Sequence, residues 1–406
     1  MESARTPAAA RTRKGLGGLF ALALALASLG ASPAAAAPEL ASVTLPQDAV
    51  WEGRVEVDGQ VTVPGGVTLL LRPGTEVRFA ARPGAEPADK ARLVIRGALV
   101  AEGTPEHPIR FLSADPEPQP GDWGGLVIED TRGRTSRLRH CRIEHADEGL
   151  RVKAASAVVE NSVLTRNRTG FVGLRHGDGG LFATEVSDNA TGLFFRQSTG
   201  LRVEQCRILG NREGGIVCSY GSAPALAGNE IGENAVGGIA CVQGSSPSIE
   251  ANEIRGHEYG VHVDLKSNPL LLGNRIHGNG TGLWAVKLSN PTVAQNAVTG
   301  NGVGIFCDHS AYPRVHDNDL SGNTRFAMVL GDHQSIHVEQ RIPYRDLGQF
   351  HPEAPARPQT LPPRTRKFTA FSGSSLGLLD ARGNWWGHEP TAEMAALGAE
   401  GNVGAI

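Results

Sequence analysis

Six side chains between positions 262 and 309 are of types that can act on a sugar together: His262, Asp264, Trp284, Phe306, Asp308 and His309. Two carboxylates flanking one glycosidic bond divide the roles of acid and base, and inverting hydrolysis sets them roughly 6.5–9.5 Å apart so that a water fits between. An indole beside them offers a flat apolar face for a sugar ring. The same residues also read as an apolar patch beneath a covering segment. A covered face is the leading expectation, a ligand or glycan groove the second, and a catalytic pair of Asp264 and Asp308 the third.

What brings these residues to one face is a repeat. Its first asparagine stands at 229, 252, 274, 296 and 318, in steps of 23, 22, 22 and 22. An apolar residue follows two places on, Asn or His five places on (Asn234, His257, Asn279, Asn301, Asn323), and usually Gly eight places on. A looser version runs back through Cys206, Thr184, Asn161 and Cys141. Short strands and sharp corners at this period predict an all-β fold, a parallel β-solenoid. Coils stacked at the strand spacing of about 4.8 Å place Asp264 and Asp308, two coils apart, with Cα atoms about 9.6 Å apart. The repeated asparagines are expected to form an amide ladder at an inward corner. The glycine is expected to permit a turn closed to other residues.

The residues after that glycine sort into two faces. Ile216/Cys218, Ile239/Cys241, Val261/Val263, Leu283/Ala285 and Ile305/Cys307 are expected to point inward. His262/Asp264, Trp284/Val286, Phe306/Asp308 and Met328/Leu330 are expected to point outward, with Asp264 close to Lys266 and Asp308 within reach of Arg314. The five cysteines, at 141, 206, 218, 241 and 307, contain no Cys-x-x-Cys. Cys218 and Cys241, in neighbouring coils, read as core thiols, a disulfide between them being the alternative.

Residues 1–37 have the form of a secretory signal: Arg5, Arg11, Arg13 and Lys14, then an apolar run from Leu16 to Leu29, then small residues. The expected location is therefore periplasmic or extracellular. No later run is long enough to span a membrane. That leader carries four cations and one acid, so removing its net +3 takes the chain from −3 to −6, which argues against nucleic acid as a partner. With 52 glycines, 5% aromatic, 20% charged and 40% hydrophobic residues, the composition is that of an ordered chain with many corners. The excursions Arg82–Lys90 and Asp115–Asp122 read as surface loops. The expected organisation is N-terminal coils over 38–128, regular coils over 129–330, a Pro-rich basic excursion over 331–375 and a closing segment over 376–406. The excursion carries Arg357, Arg364, Arg366 and Lys367, and the closing segment a short helix at Thr391–Leu397.

The Asn-x-Ile-x-x-Asn-x-x-Gly-Ile text resembles the right-handed parallel β-helix of the pectate-lyase-like superfamily, and within it bacterial exported proteins with short β-helix repeats. Pro73-Gly-Thr75-Glu-Val77-Arg-Phe79, Gly97-Ala-Leu99, Trp123-Gly-Gly-Leu-Val-Ile128 and Gly383-Asn-Trp-Trp-Gly387 add to the likeness. The resemblance implies a right-handed helix of roughly twelve coils closed by the Trp-Trp segment. It leaves function open, because one helix hosts lyases, hydrolases, epimerases and adhesins as well as the NosD-type copper-site accessory proteins. The chain has no polygalacturonase-like Asn-x-Asp with Gly-His-Gly and no clustered lyase carboxylates. Copper is weighed on Asp308-His309 and Asp332-His333, with Met only at 1, 328 and 394. No cofactor and no metal are expected. The reading is a monomeric, non-catalytic exported protein presenting a long surface to a polysaccharide or cell-envelope partner. The alternatives are a polysaccharide-active enzyme using Asp264 and Asp308, or a NosD-like copper accessory.

Overall fold

The computed structural model describes residues 39–330, 381 and 383–386. The leader at 1–37, the excursion at 331–375 and the helix at Thr391–Leu397 lie outside the described residues. Within them the chain winds as a right-handed parallel β-helix. Three strands make a coil, and strands at equivalent places in successive coils build three sheets of 12, 13 and 12 strands. Neighbours pair in parallel, as in Ile208↔Ile231 of the first sheet, Ile305↔Met328 of the second and Val293↔Val315 of the third. This amounts to twelve full coils, with Phe326–Leu330 entering a thirteenth.

The period-two strand pattern explains why the tube closes. In Gln60–Val63 and Ile109–Ser113 every second residue is buried, and the inward columns meet as one apolar core running the length of the helix. The core of the N-terminal coils holds aromatic rings: Phe79 stacks on Trp123 with centroids 3.9 Å apart. From Ile231 onward the core is almost entirely Ile, Leu, Val, Ala and Cys. Cys218, Cys241 and Cys307 share one inward column, and all five cysteines are free and buried.

Corners are held by side-chain ladders. Asn229, Asn252, Asn274, Asn296 and Asn318 pass Nδ2–H to Oδ1 from coil to coil at 2.8–3.0 Å. Asn384 takes the next rung, 2.8 Å from Asn318, although 66 residues separate them in the chain. The Gly383-Asn-Trp-Trp segment thus closes the described helix: Trp385 pairs in parallel with Asp319, and Trp386 packs on the core. A second ladder runs Asn167, Asn189, Asn211, Asn234, His257, Asn279, Asn301, Asn323. The third corner carries a serine ladder, Ser198, Ser222, Ser245, Ser267 and Ser289, in which each backbone N–H donates to the next Oγ at 3.1–3.3 Å.

Two expectations are corrected. The recurring glycine is not there for a left-handed turn; that conformation belongs to the residue before each asparagine, Gly228, Ala251, Gly273, Gln295 and Asp317. Gly260 is needed because a Cβ there would lie 2.6 Å from the Gly282 carbonyl oxygen and 3.1 Å from Asn279 Nδ2, against the ladder itself. Met328 and Leu330 face the core, and Val329 is the outward partner of Phe306. One extra residue after Asn323 (Thr324-Arg325-Phe326 before Ala327, where Asn301 has only Gly302-Val303 before Gly304) shifts that strand by one place. With a side-chain period of two, such a shift exchanges faces.

Candidate functional site

The outward column of the second sheet reads Val217, Ala240, His262, Trp284, Phe306 and Val329, each opposite the next. Three of the six predicted residues, His262, Trp284 and Phe306, touch; Asp264 and Asp308 lie just past the ends of the His262 and Phe306 strands, and His309 follows Asp308. The ring centroids of His262 and Trp284 are 4.8 Å apart, and Trp284 meets Phe306 edge-on at 6.3 Å. Tyr259, which the sequence reading passed over, stacks on Trp284 at 4.6 Å. Its only sequence signal is a bulky residue directly before Gly260, where the equivalent strand in the preceding coil has Gly237. Val217, Ala240, Tyr259, Trp284 and Val286 form an apolar cluster separate from the main core, with Phe194, Val236 and Phe306 at its edge.

The cluster is closed to solvent. His262 is 1% exposed, Trp284 7% and Tyr259 8%, and the Trp284 indole N–H makes no hydrogen bond. Burial lowers the His262 pKa to about 4, against the opposing pull of Asp264. Burial first, and the adjoining Glu258 second, push the Tyr259 phenol well up.

Asp264 and Asp308 occupy one column just past the strand ends, two coils apart, with Val286 between them; their backbone N–H groups donate to Cys241 and Ala285 oxygens. Each carboxylate is engaged locally. Asp264 Oδ2 lies 3.0 Å from Lys287 Nζ, and its Oδ1 accepts the Leu265 N–H at 2.6 Å. Lys287, one coil on, takes the place expected for Lys266. Asp308 binds its own neighbour: Oδ1 accepts the His309 N–H at 2.8 Å, and Oδ2 is 3.3 Å from His309 Nδ1. Both aspartates are buried.

A second polar cluster, unforeseen from the sequence, sits on the N-terminal coils. Lys90, 2% exposed, donates to the Gly121 carbonyl at 2.7 Å and lies 3.8 Å from Asp147, which Arg168 reaches at 3.1 Å. Asp122 accepts from Ser113 Oγ at 2.7 Å and from the Gln119 N–H at 3.0 Å. Burial lowers the Lys90 pKa, and Asp147 opposes that shift. The two excursions read as surface loops are therefore tied down at their last residues, Lys90 and Asp122.

With that geometry described, comparison with known proteins places the chain. The family model described as periplasmic copper-binding protein (NosD) matches residues 122–236 and 183–338, together more than half of the chain. The chain belongs to the NosD family. Residues 41–137 of this NosD-family chain match the pectate-lyase like beta helix domain. No curated protein matches it in sequence. Among solved structures it is similar to the periplasmic alginate epimerase AlgG (14% identity, TM-score 0.46, 70% of this chain and 76% of that one). It is also similar to the A-module of the mannuronan C-5 epimerase AlgE4 of Azotobacter vinelandii (16%, 0.47, 72% and 89%) and to pectate lyase Pel9A (14%, 0.33, 63% and 72%). These are likenesses of fold.

Among the described residues the donors do not assemble into a copper site. The thiols are core side chains, with burial raising Cys218 and Cys307 far above ordinary thiols. Among the described residues no three His, Cys, Asp or Glu side chains converge. Asp308 and His309 pair with each other, and Asp332-His333 lies outside the described residues.

Proposed function

We propose that this chain is a non-catalytic exported member of the NosD family, working as a rigid rod whose outer surface docks a polysaccharide or another component of the cell envelope. One observation carries this reading: each of the two carboxylates that an enzyme would need is already spent on a partner within the chain. An acid and a base acting in turn must exchange protons with substrate or water. Asp264 is tied to Lys287 and Asp308 to His309. Trp284 stacks on Tyr259 and His262 rather than standing clear for a sugar.

The family's description supports export and raises copper, but the donors described above support no bound ion. Two measurements test the proposal. Incubation of the purified protein with uronate and neutral glycans, read for chain shortening, unsaturated ends and epimerised residues, is expected to give no product. Turnover that Asp264→Asn abolishes would replace this reading with the enzyme. Metal analysis of protein isolated from the periplasm is expected to find no stoichiometric copper, and one copper per chain would replace it with the accessory role.

A further inference from the structure

The second ladder contains one rung of a different kind. Seven of its members are asparagines, whose amide both donates and accepts, so that Oδ1 faces the coil before and Nδ2 the coil after. His257 occupies the fifth place and is 4% exposed. Its Nε2 lies 3.2 Å from Asn234 Nδ2 and its Nδ1 3.1 Å from Asn279 Oδ1. Asn234 Nδ2 can only donate, so Nε2 must be the bare nitrogen and Nδ1 carries the proton. The rung is a neutral imidazole in one tautomer.

A proton added to Nε2 would set donor against donor. The ladder cannot relieve this by turning Asn234 over. Its Oδ1 accepts both the N–H and the Nδ2–H of Asn211, and its Nδ2 donates to the Ile208 carbonyl at 3.0 Å. Reversal would place carbonyl against carbonyl there, and again at Asn211, Asn189 and Asn167, which donate to Val186, Leu164 and Ile143. The rung is also thin: every other step carries a bond from the backbone N–H to the next Oδ1, and the step from Asn234 to His257 lacks it.

We propose that His257 is an acid-operated break in the helix: protonation at Nε2 opens the corner between the Asn234 and His257 coils, while the asparagine rungs on either side stay closed. The charges around it do not supply the missing acceptor. The strand that precedes it and the two strands flanking that one in the first sheet carry Glu230, Glu253, Arg255, Arg275 and His277, and the corners carry Glu233 and Glu258. Arg255 binds both Glu230 and Glu233 at 2.7 Å, and Glu253 takes His277 at 3.0 Å. From the second sheet Tyr259 and His262 face outward into the aromatic cluster described above. Burial is accordingly the dominant influence and lowers the His257 pKa to about 4 from an ordinary 6.5.

The test is amide hydrogen exchange on the mature protein and on His257→Asn, which restores the residue of every other rung. In the wild type, protection at the amides of Glu233 and Tyr259, which bridge these two coils by donating to the Arg255 and Val236 carbonyls, is expected to fall about tenfold per pH unit between pH 6.5 and 4, and in His257→Asn to stay flat. Protection at Asn296 and Asn301 is expected to stay flat in both. The proposal is overturned by equal pH dependence in the two proteins, or by protection at Asn296 and Asn301 falling alongside that at Glu233 and Tyr259. An imidazole titration by NMR that places His257 near 6.5 without loss of protection overturns it independently of the variant.

Discussion

Two stretches of this helix hold buried polar groups by opposite means. Between Asn229 and Asn323 the devices are neutral, local and repeated: one amide, its neighbour above and its neighbour below. Around Lys90, Asp122, Asp147 and Arg168 they are charged and single, drawn from four separate segments of chain. A ladder of identical rungs is satisfied almost equally well if one coil slips against the next. The Lys90–Asp147–Arg168 knot is satisfied in one arrangement only. Repetition thus supplies the bulk of the polar satisfaction, and the charged knot supplies a register mark for the coils around it.

The sharpest way to break this comparison is to remove an interior rung. Asn274→Ala strands the Asn252 N–H and one Nδ2–H of Asn252, takes the side-chain donor from the Ile249 carbonyl, and leaves Asn296 Oδ1 only the backbone N–H of residue 274. Leaving such groups without partners is expected to lower stability by about 4 kcal/mol in urea unfolding, and a loss under about 1 kcal/mol would show that the ladder is incidental. On the charged side, Asp147→Ala leaves the Lys90 ammonium buried beside Arg168 and is expected to lose about 3 kcal/mol. Adding Lys90→Met to it should restore most of that loss, which no rung substitution can do for Asn274→Ala.

Acid sharpens the comparison further. His257 and His262 stay neutral in the fold down to about pH 4, while the unfolded chain takes up their protons near 6.5. The unfolded state therefore binds more protons through that window, and stability is full above it and falls as pH drops, by about 3 kcal/mol per histidine at most. Unfolding midpoints at pH 7 and pH 4.5 for the wild type, His257→Asn and the double variant with His262→Leu should converge in that order. The smallest effect is expected on the outer face of the first sheet. Arg207 bridges Glu185 and Glu230 at 3.2 Å with its side chain 57% exposed, and Arg207→Ala should change stability by no more than about 0.5 kcal/mol.

How much of this was legible follows the same division. The Asn229 frame announced itself because one residue type recurs at a nearly constant step, and that step predicted the coil, the amide ladder, the inward cysteine column and the shared face of His262, Trp284 and Phe306. The serine ladder was missed because serine is common in turns and its early steps of 24 and 23 drift before settling at 22. The Lys90 knot was missed for a deeper reason: its members do not repeat, and nothing in the text joins residue 90 to 147 or 168 until the coils are stacked. The single-residue slip after Asn323 misassigned Met328 and Leu330, since with a period of two the smallest indel reverses a face. At the candidate site, position was predictable but state was not. That Asp264 would be taken by Lys287 rather than Lys266 depends on which side chain lies one coil away, not on which lies nearby in sequence.

Asn384, the rung after Asn318, closes the longest loop in this ladder. An ordinary rung closes a loop of about 22 residues, and this one closes a loop of 66. Closure entropy grows only with the logarithm of length, so the longer loop costs about 1 kcal/mol more. The bonds that Asn384 makes to Asn318 and to the Val315 carbonyl are of the same order in sum. The register of the helix is consequently insensitive to the number of residues between its last regular strand and its final rung.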